Sequence, residues 1–279
     1  MSTLLFTKIP KSELHPYHIV DVSPWPITTA FSVFFTVFGF GLYMHSFFFG
    51  WQLVFFGLFA TMINSFCWWR DIIREGTFEG THTFAVQYGL RFGMILFIVS
   101  EIMLFFAFFW AFFHSSLNPV PEIGCVWPPK GISVIKPWIT RTDSGIPMYN
   151  TIILLISGAF LTWSHAALLE GDSEGVFVGL CWTITLAILF TAIQGYEYFN
   201  ALFSINDGIY GSTFYMLTGL HGAHVIIGTC FLIVALSRVY NAHFTTENHI
   251  GFETAAWYWH FVDVVWIFLF FTLYIWGGN

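Results

Sequence analysis

The chain has 279 residues, of which 57% are hydrophobic, 22% aromatic and only 9% charged, and its mean hydropathy is +0.72. Soluble domains carry about 25% charged residues, so this composition excludes a water-soluble globular protein and fits one polytopic membrane domain. The 9 Lys and Arg are outnumbered by 16 Asp and Glu. That balance excludes a basic nucleic-acid-binding surface.

The first 25 residues contain neither an apolar signal core nor an arginine-rich amphipathic pattern. We therefore expect no secretory signal and no transit peptide, and we expect the first apolar helix to direct insertion. Further along the chain, seven stretches are apolar over the roughly 20 residues that a spanning helix needs. These stretches are 27–48, 51–69, 90–114, 149–169, 176–198, 211–240 and 252–276. The sequence predicts an all-α integral membrane protein with seven transmembrane helices.

These stretches divide the chain into four parts. An N-terminal segment, 1–26, precedes a two-helix transmembrane hairpin, 27–69. A polar linker, 70–89, then leads to a five-helix transmembrane bundle, 90–279. A second long connection, 115–147, is rich in proline and glycine. Such a segment is expected to be non-helical and to lie on the membrane surface.

Lysine and arginine are distributed unequally between the two predicted faces of the membrane. With seven spans, the amino-terminal face receives Lys8, Lys11, Arg70, Arg74, Arg91 and Arg238, and the other face receives Lys130, Lys136 and Arg141. Cytoplasmic or matrix loops carry the excess of positive charge. The amino terminus is therefore predicted to lie inside.

Two acidic residues fall near the middle of predicted spans. Glu101 lies about 16 Å into the third span at about 1.5 Å per residue. Burying a charge at that depth costs on the order of 3 kcal/mol, so Glu101 is expected to be protonated or paired across helices. Asp263 is expected at similar depth in the seventh span, with His260 one turn away on the same face. This polar cluster is either a proton relay or a packing contact between helices.

The 11 histidines raise the question of a haem or metal site. A dihaem membrane cytochrome needs facing histidine pairs on two helices, whereas His221 and His224 share one face without a matching pair on another span. The neighbouring Gly219 and Gly222 favour close helix packing instead. The cysteines Cys67, Cys125, Cys181 and Cys230 form no CxxC motif. We therefore expect no catalytic residue, metal, haem or other redox centre in this chain.

Charged residues near the predicted inner face favour phospholipid binding. They are Arg74, Glu75 and His82 in the polar linker, and Arg238 and His243 at the end of the sixth span. Basic side chains at this interface bind lipid head groups, although they also serve as topology anchors. Trp25, Trp68, Trp69, Trp257 and Trp259 are predicted to be interfacial belt residues.

Six long segments carry a family signature. They are HPYHIVDVSPWPIT, FCWWRDIIRE, QYGLRFGMILFIVSEIMLFFAFFWAFFHSSL, EIGCVWPPKGI, SINDGIYGSTFYMLTGLHGAHVIIGTCFLIV and GFETAAWYWHFVDVVWIFLFF. Together they strongly resemble the cytochrome c oxidase subunit III family. The resemblance extends over residues 17–278, nearly the whole chain.

The resemblance implies a 2+5 arrangement, in which spans one and two face spans three to seven across a V-shaped, lipid-filled cleft. It also implies that the haem and copper lie in subunits I and II, and that this chain packs chiefly against subunit I. Accessory subunits are further expected partners. The implied role is non-catalytic: the chain stabilises subunit I, binds phospholipid and supports proton uptake in a proton-pumping terminal oxidase.

Individual residues also match the family. By resemblance, Glu101 corresponds to the carbodiimide-reactive carboxyl of the family. Arg74, Glu75, His82, Arg238 and His243 correspond to positions associated with lipid head groups, and Trp68 and Trp69 are expected to line the same cleft. The chain departs from the family in having single histidines, His82 and His165, where relatives often show pairs. The stretch 138–147 also looks longer than usual.

We interpret the sequence as a core subunit of cytochrome c oxidase in the mitochondrial inner membrane, with its amino terminus in the matrix. A bacterial plasma membrane is the alternative location. The alternative functions are a secondary transporter and a haem-carrying membrane cytochrome. Transporters usually show internal repeats and broken helices at the midplane, and this sequence shows neither pattern.

Overall fold

The computed structural model describes residues 15–138 and 145–278. Its long helices are α1 Trp25–Met44, α2 Gly50–Thr77, α3 Phe84–Leu117, α4 Ile146–Glu170, α5 Ser173–Asn200, α6 Gly208–Tyr240 and α7 Ile250–Leu269, the last continuing as a π-helical segment, Phe270–Trp276. In the described residues, seven helices are long and apolar enough to cross a membrane. The predicted all-α fold with seven spanning helices is confirmed. Residues 139–144 of the longer stretch, and Lys8, Lys11 and Arg141, lie outside the described residues.

The helices extend beyond the apolar stretches that predicted them. α2 continues to Thr77 and α3 begins at Phe84, so helix occupies much of the predicted linker 70–89. Hydropathy marks the part of a helix that lies in hydrocarbon, whereas backbone hydrogen bonding continues into the interface. Polar side chains such as Arg70 and Asp71 then reach water from a helical backbone, where they form an ion pair of 2.8 Å.

The described residues form two compact units, one ending at Leu90 and one beginning at Arg91. Unit 1 contains the α1–α2 hairpin and the first residues of α3. Unit 2 contains the rest of α3 and helices α4 to α7. The lipid-filled cleft implied by the family resemblance stays a prediction.

Small and polar residues, spaced seven apart, form the contact between α1 and α2 in unit 1. They are Ser32 and Gly39 on α1, and Gly50, Gly57 and Asn64 on α2. Asn64 Nδ2 donates a hydrogen bond of 2.8 Å to Ser32 Oγ. A Cβ atom on Gly57 would lie 2.5 Å from the backbone nitrogen of Thr36. The hairpin thus packs backbone against backbone, as membrane helices with small interfacial residues do.

Helix α7 is the most buried spanning helix in the described part of the chain. Trp259 and Trp266 are fully buried, and their indole nitrogens donate hydrogen bonds of 3.0 Å to Ser157 Oγ and Thr151 Oγ1 of α4. The prediction that Trp259 is an interfacial belt residue is therefore wrong. A tryptophan tolerates such a position because its one polar atom has a partner there.

The π-helical segment Phe270–Trp276 closes α7. π-helical turns are rare and frequently occur at functional sites. This segment buries Tyr274, which is 1% exposed. Beyond it, the carbonyl of Gly278 accepts a hydrogen bond of 2.7 Å from Lys136 Nζ. This hydrogen bond joins Gly278 to the connection between α3 and α4.

Candidate functional site

The predicted lipid-binding residues of unit 1 lie along the last turns of α2 and in the connection that follows it. They are Trp68, Trp69, Arg74, Glu75 and His82. Trp69 and Arg74 are exposed, whereas Glu75 and His82 are half-buried. Glu75 Oε2 lies 3.9 Å from His18 Nε2, and the ring centroids of His18 and His82 are 6.3 Å apart. The segment before α1 thus packs against this polar surface.

The remaining predicted lipid-binding residues, Arg238 and His243, lie at the end of α6 in unit 2. The Arg238 guanidinium carbon lies 4.3 Å from the centroid of the Phe244 ring, a cation–π contact. Partial burial and the positive charge of Arg238 lower the pKa of His243 below its usual value. The negative charge of an anionic head group at this surface would counter the effect of the Arg238 charge.

Glu101 of α3 pairs with His224 of α6 inside unit 2. Glu101 Oε2 and His224 Nε2 are 2.7 Å apart, and both side chains are largely buried. The rings of Phe105 and Tyr258 flank the imidazole at centroid distances of 5.0 Å and 6.4 Å. The sequence predicts that Glu101 is protonated or paired across helices. Its partner in the structure is His224, for which the sequence predicts only a role in helix packing.

The second ring nitrogen of His224 determines how protons are distributed in this pair. His224 Nδ1 lies 2.7 Å from the carbonyl oxygen of Leu220. A carbonyl accepts but never donates, so Nδ1 carries a hydrogen. Nε2 then either donates to a Glu101 carboxylate or accepts from a Glu101 carboxylic acid. In both forms the pair shares one proton and is neutral overall, which suits a membrane interior.

Asp263 and His260 of α7 form a separate contact. Asp263 Oδ2 lies 3.8 Å from His260 Nδ1, which is an ion-pair distance rather than a hydrogen bond. A Cβ atom on Gly158 of α4 would lie only 2.5 Å from Asp263 Oδ2. Glycine at this position therefore makes room for the carboxyl. The predicted cluster of Glu101, His260 and Asp263 falls into two contacts with different partners.

His221 is buried one turn before His224 and also has a protein partner. Its Nε2 lies 3.2 Å from the carbonyl oxygen of Val262, and its ring centroid lies 5.0 Å from that of Trp266. His221 and His224 are thus each oriented by groups of their own unit. In the described part of the chain, no three His, Cys, Asp or Glu side chains come together as metal ligands would.

A buried polar cluster that sequence reasoning missed lies at the end of α5. Asn150 Nδ2 donates to Gln194 Oε1 over 3.0 Å, and Gln194 Nε2 donates to Glu197 Oε1 over 3.1 Å. The Tyr274 hydroxyl donates to the same Glu197 oxygen over 2.6 Å. Glu197 is 3% exposed. Its signal in the sequence was an acid within a predicted span, three residues after a glutamine.

Comparison with known proteins identifies the family. A family model described as cytochrome c oxidase subunit III matches residues 15–278. The chain is 57% identical over 268 residues to cytochrome c oxidase subunit 3 of Marchantia polymorpha, covering 96% of this chain and 99% of the relative. It is 56% identical over 268 residues to the Arabidopsis thaliana protein of the same name, with the same coverage. The Chondrus crispus protein of that name is 53% identical over 280 residues, with both chains fully covered.

These matches confirm the family resemblance and give no support to the transporter alternative. They agree with the seven apolar helices in the described residues. Cytochrome c oxidase subunit III is a multi-pass membrane protein and a component of the terminal oxidase. The chain therefore belongs to the cytochrome c oxidase subunit III family.

Proposed function

We propose that this chain is a non-catalytic core subunit that stabilises subunit I of the oxidase, binds phospholipid and supports proton uptake during turnover. Membership of the family makes it a subunit of the terminal oxidase of the respiratory chain. The haem and copper of the reaction belong to subunits I and II in this proposal. The engagement of His221 and His224 by protein acceptors supports a role other than metal ligation.

The proposed location is the mitochondrial inner membrane, with the amino terminus in the matrix. The unequal distribution of Lys and Arg between the predicted faces supports this orientation. The proposed partners are subunit I first, then subunit II and accessory subunits of the oxidase. In unit 1, α1 and α2 carry exposed apolar residues such as Phe55 and Phe66, and in unit 2 α3 carries others such as Phe106. Each of these apolar surfaces suits contact with lipid or with such partners.

Phospholipid binding is supported separately in each unit. In unit 1, the exposed Arg74 and Trp69 lie near the end of α2, and the half-buried His82 lies in the connection that follows it. In unit 2, Arg238 and His243 lie at the end of α6. Each arginine near a membrane surface contributes about 1 kcal/mol toward an anionic lipid. Tryptophan adds an amphipathic ring that sits at head-group depth.

Lipid analysis of the assembled oxidase tests this part of the proposal. We expect Arg74→Ala and Arg238→Ala each to lower the amount of phospholipid that stays bound through purification, as measured by mass spectrometry. Lys130→Ala, in the connection on the opposite predicted face, is the matched control and should leave the lipid content unchanged. Equal lipid content in all of these variants would contradict the assignment.

The hydrogen-bonded Glu101–His224 pair is the observation that carries the proposed role in proton uptake. The pair holds one shared proton in a neutral unit within α3 and α6. A neutral pair can exist in two protonation arrangements without placing a net charge in the membrane. Such a group tolerates proton movement at lower electrostatic cost than an isolated carboxyl does.

Replacement of Glu101 tests this role. Glu101→Gln keeps a hydrogen-bonding group beside His224 but removes the shared proton, whereas Glu101→Ala removes both. We expect both variants to retain the haem absorbance and the initial turnover of the complex. Proton release and activity should decline faster during sustained turnover, as followed with a pH indicator and an oxygen electrode. Loss of haem absorbance in either variant would oppose a peripheral role, and unchanged sustained turnover would oppose a proton role.

A further inference from the structure

The buried cluster around Glu197 borders a cavity at the end of α5. The cavity has a volume of about 250 Å³ and is lined by residues 133–136, 145–147, Glu197 and 200–202. This volume exceeds the space that one water molecule needs, so the cavity has room for several. Its lining comes from the connection between α3 and α4, from the start of α4 and from the end of α5.

The two carboxyl oxygens of Glu197 are in different environments. Oε1 accepts hydrogen bonds from the Tyr274 hydroxyl and from Gln194 Nε2. Within the described residues, Oε2 is buried and has no hydrogen-bond partner. A buried polar atom without a partner is costly, and the cavity beside Glu197 is the place from which a partner can approach. Water is the smallest occupant that both donates and accepts there.

The groups that surround Glu197 favour the protonated, neutral form of its carboxyl. The Tyr274 hydroxyl and the Gln194 amide, which both donate to this carboxyl, are neutral groups. Lys136, the cation among the described residues that line this cavity, donates instead to the carbonyl of Gly278 over 2.7 Å. A buried carboxylate needs a paired charge or several donors. Two neutral donors on Oε1 leave the proton of the acid on Oε2.

We propose that Glu197 is a proton-binding carboxyl that exchanges its proton with water in the cavity at the end of α5. In this step the O–H bond at Oε2 breaks and the proton passes to a cavity water, which passes it on to the aqueous phase. The carboxylate that remains is stabilised by Tyr274 and Gln194. Re-protonation follows the reverse path, so no oxidant or reductant takes part.

The surroundings of Glu197 are ordered by several elements, one of which is the π-helical segment. It occupies the part of the chain that carries Tyr274, and Tyr274 reaches across to α5 while being fully buried. Asn150 fixes the Gln194 amide from α4, so that the amide nitrogen faces Glu197. Residues of α4, of α5 and of the π-helical segment therefore together orient the two hydrogen-bond donors of Glu197.

Infrared difference spectroscopy of the assembled oxidase tests the proposal. The wild type should show a protonated-carboxyl C=O band that is lost in Glu197→Gln. The band should shift to lower frequency soon after transfer to D2O, because cavity water exchanges the acid proton. Glu174→Gln, an exposed change of the same kind at the start of α5, should keep the band. Superimposable spectra of wild type and Glu197→Gln, or a band that D2O leaves unshifted, would overturn the proposal.

A second variant covers the case in which Glu197→Gln does not assemble. Tyr274→Phe keeps the ring but removes the hydrogen bond to Oε1, which is the carbonyl oxygen of the proposed acid. Loss of that bond should move the same C=O band to higher frequency while its response to D2O persists. A carboxyl spectrum identical to the wild type would overturn the assignment of the band to Glu197.

Discussion

Three carboxyl groups inside unit 2 have different surroundings that lower the cost of their burial. Glu101 pairs with His224, Asp263 lies beside Gly158, and Glu197 accepts two neutral hydrogen bonds. The cost of inserting a carboxyl predicts that each needs such an accommodation. The identity of each partner depends on how neighbouring helices are rotated, and a single sequence does not reveal that rotation.

The contact between Gly158 and Asp263 leads to a prediction at the residue scale. A methyl group at Gly158 would lie 2.5 Å from Asp263 Oδ2, so Gly158→Ala should destabilise the packing of α4 on α7. Overpacking of this kind costs about 1–3 kcal/mol. The thermal midpoint at which the subunit unfolds or leaves the oxidase should fall accordingly.

A double-mutant cycle separates this steric effect from helix propensity. In an Asp263→Ala background the new methyl group has space, so Gly158→Ala should then cost little. Gly195→Ala on α5 is the control, because a Cβ atom there meets nothing within 4 Å in the described residues. An equal penalty for Gly158→Ala in both backgrounds would rule out the Asp263 contact as its cause.

At the scale of elements, the number and type of helices were predictable because twenty apolar residues in a row leave few alternatives. Helix ends were less predictable, since α2 runs to Thr77 although its apolar stretch ends near residue 69. Trp259 illustrates a further limit. Hydropathy does not distinguish an internal helix of a bundle from one that faces lipid, so it predicts an interfacial position for an indole that is fully buried.

The α1–α2 hairpin leads to a prediction at this scale. Gly57→Val would place side-chain atoms against the backbone of α1, where a Cβ atom already lies 2.5 Å from Thr36 N and 2.9 Å from Ser32 O. Backbone atoms cannot move aside singly, so the two helices must separate. We expect less of this subunit to be retained in the purified oxidase, as measured by mass spectrometry and thermal unfolding.

The matched control for the hairpin is Gly41→Val, at a position of α1 where a Cβ atom would meet nothing within 4 Å among the described residues. Both substitutions change intrinsic helix propensity in the same direction. A difference between the two variants therefore reports the packing of α1 on α2. Equal retention of both variants would argue against backbone contact as the basis of the hairpin.

For the whole molecule, composition predicted a membrane protein and the ordered motifs predicted its family. The match over residues 15–278 confirms the family. The cluster around Glu197 escaped sequence reasoning because it joins α4, α5 and the end of α7. Their approach is set by tertiary packing rather than by any local pattern.

At the scale of the whole chain, the proposed function predicts that the isolated subunit contains no haem and no stoichiometric iron or copper. When the subunit is released from the purified oxidase with mild detergent, it should show no Soret band and less than stoichiometric iron and copper. The oxidase from which it was released should retain its haem spectrum. Visible spectroscopy and elemental analysis of the two fractions provide the measurement. Stoichiometric iron or copper in the released chain would contradict the proposed non-catalytic role.

The π-helical segment makes the last turns of the chain sensitive to length. Successive residues of an α-helix are rotated by about 100° around its axis, and a π-helical turn contains more residues than an α-helical turn. Loss of one residue between Leu269 and Tyr274 would turn the phenol away from α5 and displace the carbonyl that holds Lys136. The length of the π-helical segment thus sets two positions at once, that of Tyr274 against Glu197 and that of the Gly278 carbonyl against Lys136.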